Sequence, residues 1–166
     1  MAVKRWIAAC FGLGWLPVAP GTWGSLPPAI VFAALMYCGV PPAGTTIIMG
    51  AMVVLGSVAC LCCAPASVAA VGKNDPGEVV MDEFAGQALT FLAMPLLVAR
   101  NLSGGEGFLA ALLGFLLFRA FDIVKPWPIR KLERLPGAKG VLMDDLAAGV
   151  VSAIVLYVGM RSWLTG

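Results

Sequence analysis

The sequence predicts an all-α membrane protein, a polytopic bundle of about five spanning helices. Hydrophobic residues make up 60% of the 166 residues and charged residues only 12%, with a mean hydropathy of +0.93. This is more apolar surface than a single soluble core of this length could bury. Apolar stretches also recur along the whole sequence, separated by polar or Pro/Gly-rich links. Lipid is therefore expected to form part of the solvent.

Five apolar stretches qualify or nearly qualify as spans, since a bilayer core requires about 20 helical residues. They are Leu26–Val40, Thr46–Val71, Phe84–Ala99, Phe108–Phe121 and Leu146–Trp163. The first and fourth are short, so their depth in the membrane stays open. Ahead of them, Arg5–Leu13 favours an N-terminal interfacial helix or a re-entrant loop. We expect a single membrane-embedded domain over residues 1–166, with no cleaved signal peptide.

Charged residues are distributed unevenly between the two sides of this predicted bundle. If all five stretches cross, nine of the eleven Lys and Arg residues fall on the side of the N-terminus. The positive-inside rule makes that side cytoplasmic. The small net charge of +2, interleaved with acids, argues against nucleic-acid binding but is compatible with an anionic lipid partner. Without a CxxC pair or a histidine, the cysteines at 60, 62 and 63 are interpreted as packing residues.

The link Asn74–Glu83 ends on two adjacent carboxylates at the start of the third span. Glu78 and Asp82 lie four residues apart and would share a helix face, whereas Glu83 points about 100° away from Asp82. These acids could cap a helix N-terminus, where negative charge is stabilised by ~0.3–1 kcal/mol. Capping needs only one carboxylate. The presence of several acids in this link therefore favours a cation site.

Further acids occur at the ends of two other spans. Asp144 and Asp145 open the fifth span, and Asp122 lies near the end of the fourth. A carboxylate at membrane depth costs ~2.5–3.5 kcal/mol, so acids clustered at three span ends call for a compensating cation. Magnesium fits best, because it prefers oxygen ligands and the chain contains no histidine for zinc or copper.

Two segments on the same side could bind an anion. Ala19–Ser25 is predicted to be a small-residue loop before the first span, and its Thr22 and Ser25 hydroxyls together with a helix N-terminus could hold a phosphate. Taken alone, this pattern is weak evidence. It gains value because the predicted loop lies on the side that carries the carboxylates.

The second segment, Phe118–Arg130, is a helix end followed by two prolines. Arg119 and Asp122 are three residues apart and could simply pair with each other. Alternatively, Asp122 binds the metal while Arg119, Lys125 or Arg130 contacts phosphate oxygens. In either case Trp127 is expected to be an interfacial anchor.

Four motifs together resemble the phosphatidylglycerophosphatase A family. They are Pro20–Ser25, Asp75–Glu83, Phe118–Arg130 and Gly140–Gly149, which occur in the family's order and cover most of the chain. Leu142 and the short link Leu135–Gly137 depart slightly from the family pattern. The resemblance implies a magnesium-dependent enzyme of the bacterial inner membrane that hydrolyses phosphatidylglycerophosphate to phosphatidylglycerol and inorganic phosphate. The charge bias predicts that its active site faces the cytoplasm.

The resemblance implies an acidic site made of residues from three of these motifs. The implied catalytic residues are Asp82, Glu83, Asp122 and Asp145, and the expected metal ligands are Glu78, Asp82, Asp122, Asp144 and Asp145. The expected phosphate-binding residues are Thr22, Ser25, Arg119, Lys125 and Arg130. Neither the oligomeric state nor the number of metals follows from the sequence.

The mechanism is narrowed by the absence of three sequence patterns. The chain has no Cys-x5-Arg loop, no Asp-x-Asp-x-Thr motif and no histidine for a phosphoenzyme route. Attack by a metal-activated water is therefore expected. The alternative is a cation- or proton-coupled transporter, since acids in membrane helices often mark ion paths. A transporter would place its acids near mid-span, whereas these acids occur at span ends.

Overall fold

A computed structural model describes residues 1–73, 76–92, 94–97, 102–132, 135 and 137–165, and its regular structure there is entirely helical. The helices are α1 Ala2–Ala8, α2 Pro20–Tyr37, α3 Pro42–Val71, α4 Met81–Leu92, α5 Met94–Leu97, α6 Gly104–Val124, α7 Ile129–Leu132 and α8 Ala138–Thr165, with a 3-10 turn at Leu13–Trp15. The predicted all-α fold class is confirmed. Parts of the predicted link Asn74–Glu83 and of the predicted span Phe84–Ala99 lie outside the described residues.

Three of the described helices are long and apolar enough to cross a membrane: Pro42–Val71, Gly104–Val124 and Ala138–Leu164. They contain the second, fourth and fifth predicted stretches. The short fourth stretch is part of a 21-residue helix, which removes the doubt about its length. The predicted count of five spans is approximate, because α2 begins with small polar residues and α4 has only 12 residues.

Helix α2 begins earlier than the sequence indicated. Residues Pro20–Ser25, predicted to be a loop, form its first turns, so that prediction was wrong. Proline is well tolerated at the first helical position because its missing N–H would have no helical partner there. Glycines in this segment lower helix propensity, but tertiary packing overrides that preference. Gly21 and Gly24 are both buried against neighbouring elements.

The N-terminal segment also differs from a continuous helix over Arg5–Leu13. Helix α1 ends at Ala8, and the backbone then takes positive φ angles at Cys10 and Phe11, which a regular helix cannot contain. The Val80 amide donates a hydrogen bond to the Ala8 carbonyl over 3.0 Å. Trp6 and Phe11 remain exposed. The segment therefore lies against the entry to α4 and presents aromatic side chains outward.

Glycine contacts bring α4 and α8 together backbone to backbone. A Cβ on Gly86 would lie 2.6 Å from the Asp145 carbonyl, and a Cβ on Gly149 would overlap the Gly86 carbonyl. Small residues of this kind allow membrane helices to approach closely. Glu83 precedes Gly86 by one turn and Asp145 precedes Gly149 by one turn. The glycine contact therefore sets the separation between two of the predicted acidic residues.

An apolar layer lies beyond this contact, further along the helices. Phe91 of α4 stacks on Phe32 of α2 with ring centroids 4.3 Å apart. Phe91 also fills the space beside Gly114 of α6, where a Cβ would overlap its ring. Helices α2, α4 and α6 are thus packed by apolar contacts along one end of the bundle. The acids occupy the opposite end, where α2, α4 and α8 begin and α6 finishes.

Candidate active site

Three carboxylates converge at the end of the bundle where α4 and α8 begin. Asp82 and Glu83 belong to the first turn of α4, and Asp145 to the first turns of α8. One oxygen from each lies within 4.8 Å of the others. The Asp82 and Asp145 side chains are buried, and Glu83 is partly buried. We call these three residues the carboxylate cluster.

Two more predicted acids lie at the same end of the bundle, and each accepts a hydrogen bond from a basic residue. Arg119 Nη1 donates to Asp122 Oδ2 over 2.6 Å, and Lys125 Nζ donates to Asp144 Oδ2 over 2.5 Å. Arg119 lies next to the cluster, because a Cβ on Gly21 would come within 3.1 Å of both Glu83 Oε1 and Arg119 Nη1. The pairing of Arg119 with Asp122 that the sequence allowed is therefore present, and it is located beside the cluster.

Helix α2 packs against the site at Gly21. A Cβ on Gly21 would overlap Glu83 Oε1 and would lie 3.1 Å from Arg119 Nη1. The backbone of α2 therefore approaches closely enough to contact an acid and a base from two other helices. Any larger residue at position 21 would have to displace one of them.

The donor chemistry of the carboxylate cluster suits a hard divalent cation. All three side chains offer oxygen atoms, and Glu83 Oε2 is shielded from solvent with no hydrogen-bond partner in the described chain. Buried like charges at this separation repel one another, and a bound cation removes that cost. Magnesium takes one or two protein carboxylates, waters and phosphate oxygens in this kind of site. The residues present therefore fit the predicted ion.

Glu78, another predicted metal ligand, lies in a different environment. Its carboxylate accepts hydrogen bonds from Arg5 Nε at 2.9 Å, Arg5 Nη2 at 2.8 Å and Trp15 Nε1 at 3.2 Å. Hydrogen bonding to the Arg5 guanidinium holds the pKa of Glu78 below its usual range. Glu78 thus ties the N-terminal segment to the entry of α4, and the structure does not place it in the carboxylate cluster.

Glu78→Gln is therefore expected to retain phosphatase activity within about threefold, because a structural contact is lost and not a ligand. Its melting temperature should fall, since the carboxylate that accepts two guanidinium hydrogen bonds is gone. Lipid turnover and thermal unfolding, measured on the same preparation, check both expectations. A variant that is folded but inactive would return Glu78 to the metal site.

The residues predicted to bind phosphate are found in three places. Arg119 and Lys125 border the carboxylates, whereas Arg130 is exposed in the short helix α7. The Ser25 hydroxyl is buried and donates to the Gly21 carbonyl at 2.7 Å. Thr22 is partly buried in the first turns of α2. Of the two hydroxyls, Ser25 is thus engaged with its own helix.

One buried polar residue was not singled out from the sequence. Gln87 of α4 is fully buried, and neither of its amide atoms has a hydrogen-bond partner within the described parts of the chain. It follows Glu83 by four residues and therefore shares its helix face. The sequence did carry a signal for Gln87, since it is a lone amide inside an apolar stretch and polar groups are costly at membrane depth.

The described helices are those of a membrane protein, and its acidic centre has the donor chemistry of a site for a hard cation. Comparison with known proteins specifies the family. Residues 6–160 match the family described as Phosphatidylglycerophosphatase A. The chain belongs to the phosphatidylglycerophosphatase A family, which confirms the resemblance predicted from its four motifs.

Three relatives match nearly the whole chain. A protein of Escherichia coli K12 named Phosphatidylglycerophosphatase A is 35% identical over 161 residues, covering 96% of this chain and 85% of its own length. A Haemophilus influenzae protein of the same name is 34% identical, covering 95% of this chain and 88% of its own length. A Bacteroides thetaiotaomicron protein named "Putative phosphatidylinositol-3-phosphatase" is 37% identical, covering 96% and 94%. No solved structure matches the chain significantly.

Proposed function

We propose that this protein hydrolyses the terminal phosphomonoester of phosphatidylglycerophosphate, releasing phosphatidylglycerol and inorganic phosphate. The observation that carries the proposal is the convergence of Asp82, Glu83 and Asp145 beside the Arg119–Asp122 pair. Family membership supports the substrate, since two relatives carry the name of this activity. Neither the family nor the relatives support the transporter alternative.

We propose magnesium as the ion, held by Asp82, Glu83 and Asp145. When bound, magnesium would polarise the phosphoryl group and lower the pKa of a coordinated water. The predicted ligand role of Asp122 and Asp144 remains a proposal, because each also accepts a hydrogen bond from a basic side chain. Their position next to the cluster allows them to orient its carboxylates or to bind directly.

The basic residues have a separate task in the proposed reaction. Arg119 donates through Nη1 to Asp122, while its Nε is buried without a hydrogen-bond partner among the described residues. A guanidinium with a donor to spare can contact a phosphoryl oxygen and stabilise the charge that develops in the transition state. Lys125, bonded to Asp144, places a second positive charge at the edge of the site. A carboxylate of the cluster would accept the proton of the attacking water.

The placement in the membrane forms part of the proposal. We propose that the acidic end of the bundle faces the cytoplasm from a bacterial inner membrane, and the charge bias of the sequence supports this orientation. A site at helix ends meets the headgroup of a lipid whose acyl chains remain in the bilayer. We further propose that residues 1–166 act as a single domain, since all four family motifs contribute to one end of the bundle.

The substrate is tested by presenting purified protein with three lipids in neutral detergent micelles. Phosphatidylglycerophosphate should be the best substrate, ahead of phosphatidylinositol 3-phosphate and phosphatidate. The name of the Bacteroides relative makes the inositol lipid the second candidate. Faster turnover of that lipid would replace the proposed substrate, and no phosphate release from any of the three would contradict a phosphatase.

A further inference from the structure

An open groove of about 440 Å³ lies immediately after α6, outside the carboxylate cluster. Its lining residues are Val124, Lys125, Pro126, Trp127, Arg130 and Lys131. Three of the six are basic, so the groove is suited to an anion. Its volume falls within the range of small-ligand sites.

Lys125 connects the groove with the acidic end of the bundle. This residue lines the groove and also donates to Asp144 Oδ2, and Asp144 is adjacent in sequence to Asp145 of the carboxylate cluster. A substrate that reached from the cluster to the groove would meet Lys125 on its way. We call the groove and the carboxylate cluster the two compartments.

The other two basic residues of the groove are exposed. Arg130 and Lys131 form no ion pair with any residue in the described ranges. Lys131 Nζ lies 5.4 Å from the centroid of the Trp127 ring, a cation–π distance that orients the ammonium without neutralising it. Both positive charges thus belong to the lining of the groove.

Apolar exposure around the groove supports a position at headgroup level. Trp127 is 76% exposed, and Ile123 and Val124 at the end of α6 are exposed as well. Further along the same helix, Leu112 and Leu116 continue the exposed apolar surface. Tryptophan and basic residues at the end of an apolar helix are typical of the membrane–water interface. A lipid lying against α6 would therefore bring its headgroup to the groove.

We propose that this groove binds the phosphodiester of the substrate, while the carboxylate cluster and Arg119 bind the terminal phosphomonoester. The inference rests on the proposed function. It explains how the protein would select its substrate. Phosphatidylglycerophosphate and phosphatidylinositol 3-phosphate both carry a diester and a monoester on one polyol, whereas phosphatidate lacks the diester. Lys131, with Arg130 and Lys125, would thereby favour lipids that have both groups.

Product inhibition separates the two compartments. Phosphatidylglycerol retains the diester and inorganic phosphate resembles the monoester, so each product reports on one compartment. Lys131→Gln should weaken inhibition by phosphatidylglycerol about tenfold and raise the KM for phosphatidylglycerophosphate similarly, as expected for loss of one charge-assisted contact. Inhibition by inorganic phosphate and kcat should stay within about twofold. Formation of the lipid product is measured by chromatography in neutral micelles.

Two matched variants complete the experiment. Lys131→Arg should restore inhibition by phosphatidylglycerol, because it keeps the charge, and Lys4→Gln removes an exposed lysine of α1 and should change nothing. If Lys131→Gln weakened inhibition by both products equally, or if Lys4→Gln had the same effect, the cause would be general attraction to anionic surfaces. Either result would overturn the inference. Wild-type protein that phosphatidylglycerol does not inhibit would overturn it too. Failure of the wild type to hydrolyse phosphatidylglycerophosphate would instead reject the proposed function itself.

Discussion

Asp82→Asn and Asp145→Asn are each expected to reduce phosphate release by more than about a hundredfold. Loss of a residue that only orients a metal ligand costs 10–100-fold, so loss of a ligand itself should cost more. Both side chains are buried, and their oxygens lie within 4.8 Å of each other and of Glu83. Asparagine preserves the shape of each side chain but removes the negative charge on which cation binding depends.

The melting temperatures of the two variants distinguish a loss of metal binding from misfolding. In EDTA, either substitution removes one of several clustered like charges, so each variant should melt at or above the temperature of the wild type. Added magnesium should raise the melting temperature of the wild type more than that of the variants. Thermal unfolding in detergent, with and without magnesium, measures both effects.

Glu106→Gln provides the matched acidic control. Glu106 lies at the other end of α6, in a capping box with Ser103, and a glutamine there can still accept the cap hydrogen bond. Its activity should match that of the wild type. Wild-type rates in both Asp82→Asn and Asp145→Asn would contradict the proposed site.

Gly21→Ala is expected to lower kcat/KM more than tenfold while leaving the protein folded. The new Cβ would overlap Glu83 Oε1 and crowd Arg119 Nη1, so one of these groups must move from its place in the site. Misplacement by about 1 Å can cost a hundredfold in rate. Alanine is also a better helix former than glycine by ~1 kcal/mol, which offsets part of the strain.

Gly105→Ala is the control for this substitution. Gly105 lies in the first turn of α6, and a Cβ there would meet nothing within 4 Å. The same gain in helix propensity applies, so activity should be unchanged. The test is a comparison of kcat/KM between the two variants by steady-state kinetics. Full activity in Gly21→Ala would mean that Glu83 and Arg119 are not needed in their observed positions.

Local sequence patterns predicted the long helices and the acidic end of the bundle. Apolar stretches indicated α3, α6 and α8, because a helix in lipid must satisfy its backbone internally, although the stretch within α6 was shorter than the helix itself. Acids that recur at span ends on one side indicated a common site for Asp82 and Asp145, and the structure brings them together with Glu83. Apolar length and the position of the acids at span ends on one side were sufficient for these features.

Long-range packing could not be predicted in the same way. Glu78 resembled a further ligand by its spacing from Asp82, but Arg5, seventy-three residues away in sequence, binds it. The small residues at 20–25 resembled a loop because their helix propensity is low, whereas Gly21 serves a close approach between helices. Such contacts depend on which surfaces meet in the folded bundle.

The most direct test of the central claim is phosphate release from phosphatidylglycerophosphate by the purified wild-type protein, before and after excess EDTA and again with magnesium restored. The carboxylate cluster predicts release that EDTA stops and magnesium restores, with no restoration in Asp82→Asn. Release that persists unchanged in excess EDTA would contradict a cation-dependent site built on Asp82, Glu83 and Asp145.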